Sequence, residues 1–342
     1  MTDGRTALAE VWTGSGRRAR FGRAILWPLT RVYRAVVRGR GLLYDRGVLR
    51  AHDVSVPVVS VGNLTVGGTG KTPVSAWLAR QLVERGANPA IVLRGYGGDE
   101  TLVHRRLNER ISVIECADRV RGMRDAIAEA ADIIVLDDAF QHRRAARDAD
   151  IVLIDADTWT DGRRLLPAGP WREPLSAARR ASLVIVTRKT ATHHAVKAVK
   201  EALAGDAPRI PVSSVLLAPG ELRSTTTGQT MPLHALEGAD VTAIAAIAQP
   251  IAFFSQLTQL GAIVRPHSFP DHYAFTQRDA RRLAASAQAS DFAVCTLKDA
   301  VKLESFWPPE AGSLWYVSQR LKVEDGKPHI DRLLDDLLAL RQ

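Results

Sequence analysis

V-G-N-L-T-V-G-G-T-G-K-T-P, residues 61–73, follows an apolar run at residues 54–61 and precedes a helical pattern. A strand, a glycine-rich loop, Lys-Thr and a helix in this order are typical of a P-loop. In a P-loop the backbone N–H groups form a concave anion site, Lys71 reaches the β- and γ-phosphates, and the Thr72 hydroxyl is a Mg²⁺ ligand. Thr65 stands where the pattern G-x-x-x-x-G-K-[ST] has its first glycine.

This motif predicts that the chain binds a nucleoside triphosphate. The nucleotide-binding residues are expected to be Val66, Gly67, Gly68, Thr69, Gly70, Lys71 and Thr72. The alternative is a glycine-rich turn that only starts a helix. The G-K-T ending and the flanking elements favour the P-loop.

The composition is that of an ordinary globular protein. The 342 residues are 46% hydrophobic and 24% charged, and they are enough for two domains that each bury a core. Cys116 and Cys295 are the only cysteines, and they lack metal-type spacing. A disulfide framework is therefore not expected, and the protein is expected to occur in a reducing compartment.

The positive charge is concentrated at the amino terminus. Residues 1–50 contain eleven arginines against three acidic residues, a local net charge of +8 out of +9 for the whole chain. A nucleic-acid-binding enzyme more often spreads basic residues along its cleft, so no nucleic acid partner is expected.

The same amino-terminal segment has an amphipathic pattern. Its apolar stripe consists of Phe21, Ile25, Leu29, Val32, Val36 and Leu43, and the opposite side carries Arg23, Arg31, Arg34 and Arg38. Pro28 is expected to kink or restart this helix. No stretch approaches the roughly 20 apolar residues of a membrane span, and the h-region of a secretory signal is absent.

Two interpretations of this segment remain open. The helix could pack on the protein with its arginines in water. Alternatively, it could lie in the plane of an anionic membrane surface, with its apolar stripe at the headgroup boundary. The second is favoured.

Alternating strands and helices predict an α/β fold with a P-loop NTPase-like, mostly parallel sheet covered by helices, plus a smaller C-terminal α/β domain. Strands are predicted at residues 88–93, 132–136, 151–154, 183–186, 241–246, 262–266, 292–296 and 315–317, and helices at 73–85, 118–131, 251–260, 277–288 and 331–340. The expected domains are an amino-terminal membrane-interface segment (1–50), a kinase core (51–205), a linker or β-ribbon (206–237) and a C-terminal domain (238–342).

An apolar strand that ends in two carboxylates, I-I-V-L-D-D at residues 133–138, has the form of a Walker B element. It predicts that Asp137 or Asp138 holds Mg²⁺ at the phosphate end of the sheet. The N-K-x-D motif of GTPases is absent from the sequence, and so is the H-R-D set of protein kinases, which argues against both classes of enzyme. Membrane-associated partitioning ATPases have a second Lys at the position of Val66, so this residue argues against that class.

Several segments occur together in one order. They are the P-loop stretch, R-G-Y-G-G (94–98), G-D-E (98–100), A-D-R (117–119), L-D-D-A-F-Q-H-R-R (136–144), G-R-R-L-L-P-A-G-P-W-R-E-P (162–174), F-P-D-H-Y-A-F-T (269–276) and T-L-K-D-A-V-K-L (296–303). Together these segments closely resemble the tetraacyldisaccharide 4′-kinase family, from about residue 25 to residue 320.

The resemblance implies a lipid kinase that uses ATP and Mg²⁺. It implies transfer of the γ-phosphate to the 4′-hydroxyl of a tetraacylated glucosamine disaccharide 1-phosphate, in lipid A biosynthesis. The enzyme would be peripheral, at the cytoplasmic face of the bacterial inner membrane, and monomeric. An active site in an interdomain cleft is expected.

The resemblance also implies roles for single residues. Asp99 would accept the proton of the sugar hydroxyl, His272 would be its partner, and Glu100 would be an additional Mg²⁺ ligand, with Lys71 acting on the phosphates. Tyr96, Arg119, His142 and Arg172 would bind the lipid substrate. The alternatives are a turn-forming Asp99, a structural His272 beside Asp271, structural ion pairs for both arginines, and a Tyr96 that only covers the sheet.

One departure from the family pattern concerns the approach to Asp99. Relatives have a longer insertion between R-G-Y-G and G-D-E, and here the two are fused as R-G-Y-G-G-D-E. Two other functions stay open at this point, a membrane-recruited P-loop ATPase switch and a P-loop kinase of a soluble small molecule.

Overall fold

The computed structural model describes residues 11–95, 98–160 and 162–341 of the chain. The strands are β1 (Val58–Asn63), β2 (Pro89–Leu93), β3 (Ser112–Glu115), β4 (Ile133–Asp137), β5 (Ala149–Asp155), β6 (Leu183–Arg188), β7 (Val212–Ser224), β8 (Thr230–Met231), β9 (Asp240–Ala245), β10 (Ile263–Ser268), β11 (Phe292–Cys295) and β12 (Leu314–Asp325). The helices are α1 (Arg17–Asp45), α2 (Lys71–Glu84), α3 (Asp99–Leu107), α4 (Arg119–Ala128), α5 (His193–Asp206), α6 (Pro250–Gln259), α7 (Gln277–Ala287), α8 (Leu297–Leu303) and α9 (Lys327–Ala339).

The chain divides into two compact units. The first unit consists of Met1–Arg94, Arg110–Leu216 and Lys322–Gln342, and the second of Gly95–Glu109 and Leu217–Leu321. The chain therefore passes from one unit to the other within β7 and again within β12.

The first unit contains a parallel sheet with strand order β7-β6-β5-β1-β4-β2-β3. Every residue of β1, β2 and β4 is buried, as expected for strands covered on both faces. Parallel strands place their carboxyl ends at one edge, so β1 and its neighbours deliver the P-loop and the Asp137–Asp138 pair to the same edge.

The second unit contains the parallel strands β10-β9-β11-β12, with β12 next to β7, and β8 pairs antiparallel with β7. Alternate residues of β9 enter different hydrophobic clusters: Val241 and Ala243 one, and Ile244 the other. Helix α3 packs against α8, where Arg106 forms an ion pair with Glu304.

The α/β fold class with a mostly parallel sheet is confirmed by this architecture. Helix α5 and the short elements α3 and β3 lie outside the predicted elements. The start of helix α5 could have been recognised from Thr192, a good N-cap residue, whose hydroxyl accepts from the N–H of Ala195. Of the two effects expected at Pro28, the restart is wrong, since α1 continues through it, and the kink stays a prediction. Ala24 and Pro28 are exposed, so solvent can satisfy the carbonyl that the proline leaves unpaired.

The two units also differ from the expected domain boundaries. Residues 95–109 group with the second unit through the contact of α3 with α8. Helix α9 groups with the first unit, where Asp331 accepts from Arg85 at 2.8 Å. Residues 206–237 are not simply a linker, because β7 extends the parallel sheet beside β6.

Helix α1 exposes the apolar stripe identified in the sequence. Phe21, Ile25, Leu29, Val32 and Val36 are each more than half exposed, whereas Ala19 and Thr30 on another face are buried. In the described part of the chain, no helix has both the length and the apolar character that crossing a membrane requires.

Candidate active site

The loop between β1 and α2 has the backbone conformation of an anion-binding nest. Gly67 and Gly70 have φ values of +116° and +86°, which side chains strongly disfavour. Gly70 caps α2, and the first bond into the helix runs from the N–H of Val74 to the Gly70 carbonyl. The N–H groups of Lys71 and Thr72 precede that bond, so they point out of the helix end towards a bound anion.

Two predicted nucleotide-binding residues shape this loop from within. The N–H of Val66 donates to the Pro170 carbonyl at 2.8 Å, and the N–H of Thr69 donates to the Gly67 carbonyl at 3.1 Å. These two amides are therefore committed to the protein. The Thr69 side chain is buried, and its hydroxyl accepts from Asn63 Nδ2 at 3.0 Å. Thr187, at the end of β6, donates to the Thr69 carbonyl at 3.0 Å.

The two carboxylates after β4 have different environments. Asp137 is buried, and its Oδ1 accepts from Ser75 Oγ and from the N–H of Asp138, both at 3.0 Å. Asp138 has a left-handed φ of +50°, and its side chain is one third exposed. Its Oδ1 lies 3.8 Å from Lys71 Nζ and 3.0 Å from Arg172 Nη1. Asp138 is therefore the carboxylate presented beside the P-loop lysine.

Arg119 is buried and His142 is partly buried, each following one of the elements near the same strand end. Arg119 is 3% exposed, donates to the Cys116 carbonyl at 2.8 Å and lies 3.4 Å from the Asp137 carbonyl. Burial lowers the pKa of Arg119, and the charges of Asp137 and Asp138 partly offset this. Burial, followed by the charges of Arg119 and Arg147, lowers the pKa of His142. His142 is thus held as a neutral imidazole at neutral pH.

Asp99 and His272 meet in the second unit, although 173 positions separate them in the chain. His272 Nδ1 lies 3.0 Å from Asp99 Oδ2. The Asp99 side chain is 3% exposed and its Oδ1 has no hydrogen-bond partner among the described residues, whereas 36% of the His272 side chain is exposed. Asp99 begins α3, and Glu100 follows it in the first turn. Tyr96 lies outside the described residues.

The predicted residues thus form two groups. The P-loop, Asp137, Asp138, Arg119, His142 and Arg172 lie in the first unit, and Asp99, Glu100 and His272 lie in the second. No group of three or more potential metal ligands occurs within the described parts of the chain. The hydroxyl and carboxylate oxygens at Thr72 and Asp138 are nevertheless hard donors that suit Mg²⁺ when phosphate oxygens complete its shell.

Sequence reasoning missed four supporting residues. They are Asn63, Ser75, Thr187 and Lys189, whose Nζ donates to the Gly68 carbonyl at 3.3 Å. Only Ser75 had a sequence signal, since it lies one helical turn after Lys71.

A glycine-rich nest at a helix start, with a lysine beside a strand-end carboxylate in a parallel sheet, defines the first unit as a P-loop nucleotide-binding protein. A family model described as Tetraacyldisaccharide-1-P 4′-kinase matches residues 22–109 and 97–339. The chain belongs to the tetraacyldisaccharide-1-P 4′-kinase family.

Relatives of known name agree with this assignment. The tetraacyldisaccharide 4′-kinase of Anaeromyxobacter sp. (strain Fw109-5) is 36% identical, with 98% of this chain and 97% of the relative covered. That of Halorhodospira halophila is 37% identical, with 92% and 93% covered. A crystal structure of Aquifex aeolicus LpxK in complex with ATP matches with a TM-score of 0.74 and 27% identity, covering 94% of this chain and 99% of that one.

Proposed function

We propose that this chain carries out the reaction for which its relatives are named. It transfers the γ-phosphate of ATP to the 4′-hydroxyl of a tetraacylated glucosamine disaccharide 1-phosphate. The observation that carries this proposal is the hydrogen bond between Asp99 and His272. A P-loop alone serves many ATPases, but a carboxylate paired with an imidazole provides a base for an alcohol acceptor.

In the proposed reaction the P-loop holds the triphosphate. The outward N–H groups at the start of α2 and the Lys71 ammonium neutralise charge on the phosphate oxygens. Asp138 Oδ1 lies 3.8 Å from Lys71 Nζ, and this ion pair positions the ammonium at the mouth of the loop. Phosphoryl transfer depends mainly on such positioning and charge neutralisation.

Asp99 accepts the proton of the sugar hydroxyl, and His272 orients it. One carboxylate oxygen of Asp99 is engaged by His272, and Oδ1 has no hydrogen-bond partner among the described residues, which supports a role for Asp99 as the proton acceptor. The left-handed backbone of His272, with φ of +57°, directs the ring onto the carboxylate.

Mg²⁺ fits the donor set around the P-loop. Thr72 and Asp138 would hold it, with Asp137 supporting through its bond to Ser75. Glu100, in the second unit, stays a predicted ligand. When bound, the ion neutralises negative charge on the phosphates. Arg172, Tyr96 and His142 are proposed to contact the lipid substrate. Arg119, which is 3% exposed and bonded to the Cys116 carbonyl, is proposed to support that site from within the protein.

The membrane surface is the proposed location of the reaction. The exposed apolar stripe of α1 favours a helix that lies in the plane of the headgroups over one that packs its apolar side on the protein. The arginines of residues 1–50 would attract anionic lipid. We assign the enzyme to the cytoplasmic face of the inner membrane because ATP and the expected reducing compartment are found there.

The test is transfer of radiolabelled γ-phosphate from ATP to the acyl-disaccharide 1-phosphate in detergent micelles. A labelled lipid that forms only with both substrates and Mg²⁺ present is the expected product. Release of ADP without a labelled lipid, at a rate independent of the acceptor, contradicts the proposal and indicates an ATPase switch. Labelling of a soluble sugar in preference to the lipid indicates a soluble-substrate kinase.

A further inference from the structure

A segment beside the P-loop is hydrogen-bonded at several points to the amino-terminal part of the chain. In this strap segment, residues 165–173, the Pro167 carbonyl accepts from Nε1 of Trp12, which precedes α1, at 2.9 Å. The N–H of Ala168 donates to Thr30 Oγ1 at 3.2 Å, and the Tyr33 hydroxyl donates to the Arg172 carbonyl at 3.0 Å. The proposed membrane helix is therefore attached to the strap segment by polar bonds of fixed geometry.

The other side of the strap segment is bonded to the P-loop. The N–H of Arg172 donates to the Leu64 carbonyl at 2.7 Å, and the Pro170 carbonyl accepts from Val66. Thr65 and Trp171 form an antiparallel bridge. A shift of the strap segment thus moves the residues that lead into the glycine-rich loop.

The strap segment also carries the guanidinium that holds Asp138. Arg172 Nη1 lies 3.0 and 3.3 Å from the two carboxylate oxygens of Asp138, and Asp138 faces Lys71. The Arg172 carbonyl that accepts from Tyr33 belongs to this same residue. One hydrogen bond therefore separates α1 from the residue that positions the proposed metal carboxylate.

Tyr33 has the properties needed for a rigid link. Its ring packs against the buried cluster that contains Leu64, Phe140 and Trp171. Burial, and then the charge of Glu173, raises the pKa of Tyr33 above its ordinary value. The hydroxyl consequently stays protonated and remains a donor. Val32 and Val36, on the neighbouring exposed stripe of α1, lie within one helical turn.

We propose that Tyr33 is a positioning residue for phosphoryl transfer, linking lipid-bound α1 to Arg172 and Asp138 through its hydrogen bond to the Arg172 carbonyl. This inference rests on the proposed function at a membrane surface. Seating of α1 on lipid restrains the helix, the strap segment is restrained with it, and Asp138 is held in its working position. Lipid docking then raises turnover as well as local substrate concentration.

Kinetics of Tyr33→Phe test the link, because this substitution removes the hydroxyl and keeps the ring. We expect kcat in lipid micelles to fall about five- to tenfold, with KM for ATP and for the lipid acceptor within about twofold. The control is Tyr44→Phe, on the same helix, whose ring stacks with Arg40 and Arg143. Thr30→Val, which removes another bond to the strap segment, is the second test variant and should behave like Tyr33→Phe.

Amide hydrogen exchange distinguishes the proposed link from a role of Tyr33 in packing alone, because packing alone does not make exchange in the strap segment depend on vesicles. Vesicles of phosphatidylethanolamine and phosphatidylglycerol should slow amide exchange in the strap segment of the wild type and Tyr44→Phe. They should not do so in Tyr33→Phe, although vesicle binding is unchanged. Equal slowing in Tyr33→Phe, an unchanged kcat, or a loss of kcat matched by a loss of vesicle binding overturns the inference.

Failure of the proposed function gives a different result. In that case the wild type labels no lipid acceptor, while the exchange experiment still reports whether α1 and the strap segment are coupled. If the wild type labels the lipid and the variants behave like the control, the function stands and the role of Tyr33 is rejected.

Discussion

Two candidate site residues have backbone conformations that non-glycine residues seldom adopt. Asp138 and His272 have φ values of +50° and +57°, and Ala130 is the other such residue in the described parts of the chain. A left-handed residue costs on the order of 1 kcal/mol or more, so the surroundings must hold it in place. For Asp138 these surroundings are Lys71 and Arg172, and for His272 they include Asp99.

Asp99→Asn is expected to lower kcat by about 10²- to 10⁴-fold, because the amide cannot accept a proton from the sugar hydroxyl. His272→Gln is expected to lose less, since it leaves the Asp99 carboxylate, the proposed base, in place. Affinity for ATP should stay near that of the wild type in both variants, measured by titration with a fluorescent ATP analogue.

The matched control for the histidine is His267→Gln, on β10 of the same unit. Its ring bonds only to Ser286 among the hydrogen bonds described for it, and its kcat should match the wild type. Turnover near the wild-type value in both Asp99→Asn and His272→Gln would remove the pair from the mechanism.

The lowered pKa of His142 predicts that the folded protein loses stability at acid pH. Its folded-state pKa is lowered by burial and by Arg119 and Arg147, so below about pH 6.5 the unfolded chain binds the proton more readily. The contribution of neutral His142 to the free energy of unfolding is fully present above the pKa of this histidine in the unfolded chain. It is lost as the pH falls through the lower pKa of the folded protein. In His142→Gln the fall in Tm between pH 7.5 and 5.5 should therefore be smaller than in the wild type. A fall of equal size would show that this histidine does not titrate with unfolding.

At the scale of elements, the close approach of β1 to the segment after β4 places the P-loop beside the carboxylates. A Cβ built on Gly62 would lie 2.5 Å from the Phe140 Cβ and 2.8 Å from the Phe140 backbone nitrogen. Backbone cannot yield as a flexible side chain does, so only glycine fits at this point of β1.

Gly62→Ala is accordingly expected to destabilise the protein by about 1–3 kcal/mol, because the added methyl group overpacks the junction. Chemical denaturation, with the midpoint and slope fitted together, measures this change. Gly39→Ala in α1 is the control, since a Cβ there meets nothing within 4 Å. A Gly62→Ala variant as stable as the control would refute the steric interpretation.

The element scale also shows how far the sequence can be read. The strands β1, β4 and β6 and the helices α2 and α7 could be predicted, because apolar runs and helical periodicity are local properties. Helix α3 could not be predicted, because it is only nine residues long and rich in charged residues, and because its contact with α8 stabilises it. The commitment of the Val66 amide to Pro170 was equally hidden, since Pro170 lies about a hundred positions away.

At the scale of the whole molecule, α1 has three faces. One packs on the protein through residues such as Ala19, Thr30 and Tyr33, another exposes the apolar stripe, and arginines occupy the remainder. Arg23 does not belong to the solvent-facing arginines, because its guanidinium donates to the carbonyls of Val11 and Gly14. Both interpretations of the segment assumed two faces, and the structure shows a third.

Replacement of Ile25, Val32 and Val36 together by Gln is expected to abolish binding to anionic vesicles while Tm stays within a few degrees. These side chains are at least 60% exposed, so their loss removes contact with lipid and little internal packing. Flotation with vesicles measures binding. Ile251→Gln, at a still more exposed position of the second unit, should bind as the wild type does. Unchanged flotation of the triple variant would exclude the stripe as the docking surface.

The sequence alone determined the P-loop, the strand that ends in two carboxylates, the α/β class and the family, because these depend on contiguous residues and on local periodicity. Which distant residues meet depends on the three-dimensional packing of the chain. It joined His272 to Asp99 and Arg172 to Asp138, and it turned the apolar stripe of α1 away from the protein. Such outcomes depend on where packed elements place the chain, which no local pattern of residues encodes.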